Sequence, residues 1–320
     1  MAGYDVVTLG ETMIRLSPPV PQRLEQASVL EINIGGAESN VAVALARLGF
    51  KVAWLSRLPD NAWGRRIAAT LRAQNVDVSS LIWAKGERVG TYFVEYGRQP
   101  RPIHVLYDRA NSAMSRMRAE EVPWGVVEQA RVVHCTGITP ALSTSCAEVV
   151  EAMMQRGKAA GALVSFDVNY RALLWSPAEA GRALEPYCRL ADIVFAAWRD
   201  LVTLFGTQGT PEQAAPILRA RWGCETLVIT LGDAGSLACD AQGIVQADAY
   251  PVEIVDRLGA GDAFDAGFLA ARLWGRSPAE CLRYGAALSA LCMTIPSDLA
   301  LVTAEEVEAL LTQGETRIQR

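Results

Sequence analysis

Apolar, β-branched runs recur along the chain at Val6–Gly10, Arg131–Ile138, Leu163–Val168, Asp192–Ala196 and Thr226–Leu231. Near-continuous runs of this length predict strands buried on both faces. Between them apolar positions fall at helical spacing over Glu38–Leu48, Trp63–Gln74, Thr144–Arg156, Pro177–Tyr187 and Pro211–Trp222. Further helical patterns run from Ala260 through Trp274, over Pro278–Met293 and over Ala304–Thr312. Alternating strands and helices predict an α/β fold with right-handed crossovers and a mostly parallel sheet. Ligands of such sheets bind beyond the carboxyl ends of the strands.

Two stretches break the alternation. One runs from Glu11 to Asn33 and holds Pro18, Pro19 and Pro21. The other, Val89–Tyr107, places two alternating runs, Thr91–Tyr96 and Ile103–Tyr107, on either side of Gly97-Arg-Gln-Pro-Arg-Pro102, a hairpin signal. Together, over about 11–34 and 88–110, they predict a small β-layer outside the main sheet, usable as a lid or as a dimer surface. The polar end Gly314–Arg320 is expected to fray. Neither a repeat nor a low-complexity segment interrupts 1–320, which reads as one domain.

With 320 residues, 51% hydrophobic and 20% charged, the chain can bury a large core. A net charge of −5 and a pI near 5.3 speak against nucleic acid as partner. The N-terminus lacks signal-peptide features and no apolar run would span a bilayer, so the reading is cytoplasmic, without membrane contact. Seven scattered cysteines with no Cys-x-x-Cys pair predict reduced core thiols. Two histidines, His104 and His134, cannot make a histidine-rich metal site.

The strongest chemical signal is Ile254-Val-Asp-Arg-Leu-Gly-Ala-Gly-Asp-Ala-Phe-Asp-Ala-Gly-Phe268. Gly259, Ala260 and Gly261 form a small-residue turn opening a helix, where free N–H groups and the helix dipole favour an anion. Asp262 inside such a site is ordinary dipole compensation, or a proton acceptor beside a phosphate; Asp265 follows one turn later. A second motif, Gly35-Gly36-Ala-Glu-Ser-Asn40, leads into an Ala/Val helix. Tight packing explains the glycines, but a polar Asn40 in that helix needs a partner, and a sugar hydroxyl would serve. Asp167, Asn169 and Arg171 cluster at a strand end, where an arginine could clamp a carboxylate or phosphoryl group. Tyr107 and Arg109 share a strand face, and with Arg171 suggest an anionic substrate. Thr230-Leu-Gly232-Asp-Ala-Gly235-Ser reads as a hairpin turn, or more sharply as a nucleotide-phosphate loop. P-loop, nucleophile-elbow and protein-kinase signatures are missing, and the Gly259 turn lacks the third glycine of a dinucleotide fingerprint.

Taken together these residues resemble the ribokinase-like sugar kinases, the PfkB carbohydrate kinase family, over nearly the whole chain. Gly35-Gly36…Asn40 looks like its N-terminal signature and Asp256–Phe268 like its more specific C-terminal one. The resemblance implies a Rossmann-like three-layer sandwich with a β-sheet lid, and phosphorylation of a sugar hydroxyl by ATP with Mg2+. It makes Asp262 the base and Gly259, Ala260 and Gly261 the anion hole, with nucleotide contacts at Thr230, Gly232, Gly235, Gly259 and Gly261. Within the family, Gly10-Glu-Thr-Met-Ile-Arg-Leu-Ser-Pro18 and Gly-Gly-Ala-Glu38 are most similar to the branch acting on 2-keto-3-deoxygluconate. That similarity places Gly36, Asn40, Tyr92, Tyr107, Arg109, Arg171 and Asp298 at the sugar acid, with Arg171 also facing phosphate.

Two positions depart from the family pattern. Its Asn-x-x-Glu reads Ala197-Trp-Arg-Asp200, leaving Asp200 to act on magnesium through water. Arg257 stands in place of a threonine beside Asp256, and a guanidinium there puts a bound monovalent cation in doubt. A fructokinase or 5-keto-2-deoxygluconokinase is the nearest rival. A catalytically weak sugar-binding regulator, motivated by Ala197, is the rival of another class. An NAD-dependent oxidoreductase has the sheet without the fingerprint. The resemblance also implies a homo-oligomer, a dimer paired through the lid.

Overall fold

The computed structural model describes residues 3–97 and 100–313. The central sheet contains β1 (Tyr4–Leu9), β4 (Val52–Leu55), β9 (Ala130–Thr136), β10 (Leu163–Asp167), β11 (Ile193–Ala197), β12 (Thr226–Thr230), β13 (Ser236–Asp240) and β14 (Gly243–Ala247). Their order is β14-β13-β12-β11-β10-β9-β1-β4, and the six strands from β12 to β4 are parallel. The last two, β13 and β14, return antiparallel. The hairpin reading of Thr230–Ser236 therefore holds. The short β4, directly behind a helix, was not legible as a separate run.

Neighbouring strand residues feed opposite cores, the period-2 consequence of the pleat. Val6, Val132, Phe195 and Val228 pack with α1 (Ala37–Arg47), α2 (Ala62–Ala73), α8 (Ala260–Leu273), α9 (Pro278–Met293) and α10 (Ala304–Gln313). On the other face Val7, Val133, Val194 and Leu227 pack with α3 (Trp124–Val127), α4 (Thr144–Ala159), α5 (Pro177–Leu190), α6 (Trp198–Phe205) and α7 (Pro211–Trp222). The result is the expected three-layer sandwich. All seven cysteines are buried and free. Fully buried His134 bonds Ser165 through Nδ1 at 2.9 Å, and burial pushes its pKa down to about 3, so it is a neutral core residue.

The lid is a separate sheet of β2 (Met13–Ser17), β3 (Glu31–Gly35), β7 (Thr91–Glu95) and β8 (His104–Asp108) in the order β3-β2-β7-β8. β7 and β8 are antiparallel with Tyr92 opposite Tyr107, as the hairpin signal predicts. Arg98 and Gln99 of the connecting turn lie outside the described residues, as does the Gly314–Arg320 end. A third, two-stranded sheet joins β5 (Arg57–Pro59) to β6 (Ile82–Ala84). Among the described residues no helix is long and apolar enough to cross a membrane.

Candidate active site

Side-chain caps close most long helices: Asn61 on α2, Ser143 on α4, Ser176 on α5, Thr210 on α7 and Ser277 on α9. Besides the short α3, three helices start without one, α1 at Gly36, α6 at Ala197 and α8 at Gly259. At α8 the chain turns through the left-handed region at Gly259, φ +79°, where a Cβ would also overlap the Asp298 carbonyl. The N–H groups of Gly261 and Asp262 meet no partner among the described residues. The sequence thus leaves two donors and the positive end of the dipole open at this point.

Asp262 is buried there. Its Oδ2 accepts from Asn40 Nδ2 at 2.7 Å, and its Oδ1 lies 3.5 Å from Asn169 Nδ2. Burial raises its pKa, while Asn40, the Arg171 charge and Asn169 pull the other way. A carboxylate raised above the usual aspartate range is a better proton acceptor. Asn40 Oδ1 in turn accepts from the Gly36 N–H at 3.3 Å. The Asp262 carboxylate gives Asn40 a partner inside the protein, where a sugar hydroxyl was expected. Gly36 serves close packing in a similar way: a Cβ there would overlap the Glu11 carbonyl rather than stand in an open cleft.

Behind Asp262 lie two more buried carboxyls, Asp167 and Asp265. Burial raises both, with Asp262 adding repulsion to Asp167, and Asp167 and Asp262 adding it to Asp265. Asp200, in the first turn of α6, is buried and raised by desolvation, with Arg199 Nε 3.5 Å from Oδ1. α6 itself was missed in the sequence, although Trp198, Leu201, Val202 and Phe205 have helical spacing; the run is short and carries no cap residue. The described residues contain no group of three His, Cys, Asp or Glu able to hold a metal.

On the lid side, a cleft of about 350 Å3 is lined by Tyr107, Arg109 and Arg171. Arg171 is half-buried, makes no ion pair or hydrogen bond of its own among the described residues, and its charge reaches Asp262, Asp167 and Asp200. Arg109 differs from expectation, because Glu11 Oε2 already accepts from its Nε at 2.9 Å and from Nη2 at 2.5 Å. Glu11 Oε1 stays buried and unpartnered. Tyr92 and Asp298, expected at the sugar acid, bond each other. The Tyr92 hydroxyl donates to Asp298 Oδ2 at 2.7 Å, and Asp298 Oδ1 pairs with the Arg15 guanidinium. Both residues are buried and used by the protein, and Tyr92 touches the cleft only by stacking on Tyr107, 5.9 Å between ring centroids.

Arg15 is the central residue that the sequence reading did not single out. It is fully buried on β2, pairs with Asp298 and with Asp256 Oδ2 at 2.6 Å, and bonds the Tyr96 hydroxyl and Ser17 Oγ. Asp256 Oδ2 also accepts from the Tyr96 hydroxyl at 2.7 Å, and Oδ1 from the Leu258 N–H at 3.0 Å. The guanidinium beside Asp256 is therefore Arg15 and not Arg257. With that internal cation in place, the Asp256 carboxylate does not fit a monovalent ion.

On the opposite side of the turn lies a cavity of about 570 Å3. Thr230, Gly232 and Gly235 of the β12–β13 turn face Ala260 and Gly261 across it, while Val252, Ile254, Ala290 and Met293 form an apolar wall. Its size and mixed lining suit a small-molecule cofactor.

Fold and site define the class: a phosphotransferase acting on an alcohol group, with a ribokinase-like architecture. The chain belongs to the pfkB family of carbohydrate kinases, whose model matches residues 4–302. It is 42% identical over 316 residues to a 2-dehydro-3-deoxygalactonokinase of Haloferax volcanii, covering 99% of each chain. A 2-dehydro-3-deoxygluconokinase structure from Thermotoga maritima matches with a TM-score of 0.91 and 32% identity, over 95% of this chain and 98% of that one. An ATP-bound fructokinase of Xylella fastidiosa matches at a TM-score of 0.85 and 25% identity, over 98% and 100%. Kinases of this family use ATP and Mg2+ in general.

Proposed function

We propose that the chain transfers the γ-phosphoryl group of ATP to the terminal primary hydroxyl of a 2-keto-3-deoxy sugar acid. The gluconate form is the one that the sequence motifs favour. The relative at 42% identity favours its galactonate epimer. The observation that carries the reading is the position of Asp262 at the uncapped start of α8, next to Gly261 of the large cavity and within reach of the charge of Arg171, which lines the lid-side cleft.

Asp262 accepts the hydroxyl proton, and Asn40 holds the carboxylate in place as it does so. The open N–H groups of Gly261 and Asp262, with Arg171, meet charge that builds on the transferring group. Bound ATP would supply the phosphoryl group, and Mg2+ would offset the charge of its phosphates. Tyr107, Arg109 and Arg171 line the sugar-acid side together with Asp108; Arg109 pairs with Glu11 and Asp108 with Arg88, which leaves Arg171 as the cation for an anionic substrate. The lid above them excludes water, the competing acceptor.

An ADP-release assay over 2-keto-3-deoxygluconate, 2-keto-3-deoxygalactonate, fructose and 5-keto-2-deoxygluconate tests the reading. The two 2-keto-3-deoxy acids should lead in kcat/KM, and Asp262→Asn should lower kcat by about 10^2–10^4. Fructose turned over as well as either acid, or an active Asp262→Asn variant, would sink it.

A further inference from the structure

The cavity between the β12–β13 turn and α8 holds two features that the mechanism above does not use. The first is Arg257. It is exposed on a segment without helix or strand and lines the cavity beside Ala260 and Gly261, and its side chain has no hydrogen bond or ion pair among the described residues. It is the only cation among the lining residues, and Asp233 is the only anion. The second is Ser236. The residue lines the same cavity, and its Oγ is buried and finds no partner among the described residues. A buried hydroxyl without a partner carries a desolvation cost unless something entering the cavity bonds it.

We propose that Arg257 is a nucleotide-binding residue of this chain, its guanidinium taking up phosphate charge while the nucleotide satisfies Ser236 Oγ. This rests on the reading of the cavity as the ATP site and names the residue that sets affinity there. Arg257 is free to act because Arg15 already neutralises Asp256, its neighbour in sequence. A guanidinium beside unpaired helix N–H groups offers a planar fork for phosphate oxygens at the point where the dipole also favours them. Its exposure makes the contribution dependent on ionic strength.

Calorimetric binding of ADP and of adenosine, with EDTA present, tests the assignment without turnover. Arg257→Ala should weaken ADP about tenfold and leave adenosine unchanged, since adenosine carries no phosphate. Arg257→Lys should recover part of the loss, and added salt should weaken ADP binding more in the unaltered chain than in Arg257→Ala. Equal weakening of ADP and adenosine, or no change for either, overturns the inference while leaving the kinase reading intact. Failure of the unaltered chain to bind ADP overturns both.

Discussion

The amide of Asn40 stands between a backbone donor and a carboxylate, and both of its ends are used. Its N–H favours the ionised form of Asp262 against burial. Removing it in Asn40→Leu should raise the Asp262 pKa further. The acid limb of kcat/KM should then move to higher pH by about one unit, with activity lost first at the low end of the range. An unshifted limb would show that Asn40 does not hold the base. At this scale the chemistry of Asp262 was legible, because a carboxylate behind two glycines at a helix start has a local signature. The partners of Asn40, Tyr92 and Asp298 were not, because they lie 222, 206 and 283 positions away from residues they touch. Sequence showed that Asn40 needed a partner, and only the fold could say which.

Among the elements, α1 and α8 are unlike the capped helices, and their open starts face each other across the site. Glu38, in the first turn of α1, is fully buried, with Oε1 accepting from Thr136 at 2.9 Å and Thr139 at 2.8 Å. Burial pushes its pKa up to about 7. Since the folded value exceeds the unfolded one, its stabilising contribution is full below the ordinary glutamate range and is lost as pH rises through about 7. Glu38→Gln stays neutral and should remove that slope. Relative to the unaltered chain it should gain on the order of 2–3 kcal/mol above pH 7, read as a higher melting temperature at pH 8 than at pH 5. A melting difference that does not change with pH would argue that Glu38 is ionised throughout. The strands and long helices were legible from periodicity. α6 was not, because eight residues without a cap give too weak a signal, and it is α6 that places Asp200.

At the scale of the whole molecule, Arg15 ties the lid to the body. It reaches from β2 to Asp256 before α8 and to Asp298 after α9, and its partners include Tyr96 beyond the end of β7. Arg15→Met would leave two buried carboxylates without their counter-charge and should cost about 3–5 kcal/mol of stability. An unchanged denaturation midpoint would mean that the cluster is not what joins the two sheets. A single Arg in a lid strand carries no periodic or turn signal, so this joint could not be read from the chain. The Asn40–Asp262 bond spans 222 positions, and that span bears on synthesis. When α1 leaves the ribosome, Asn40 has nothing to orient, and Arg15 has neither of its carboxylates. Arg171 is made well before the turn it works with, and Gly259–Asp262 arrives only in the last fifth of the chain. A product that stops before α8 therefore lacks the base, the open N–H groups and also α8, α9 and α10, which cover one face of its sheet.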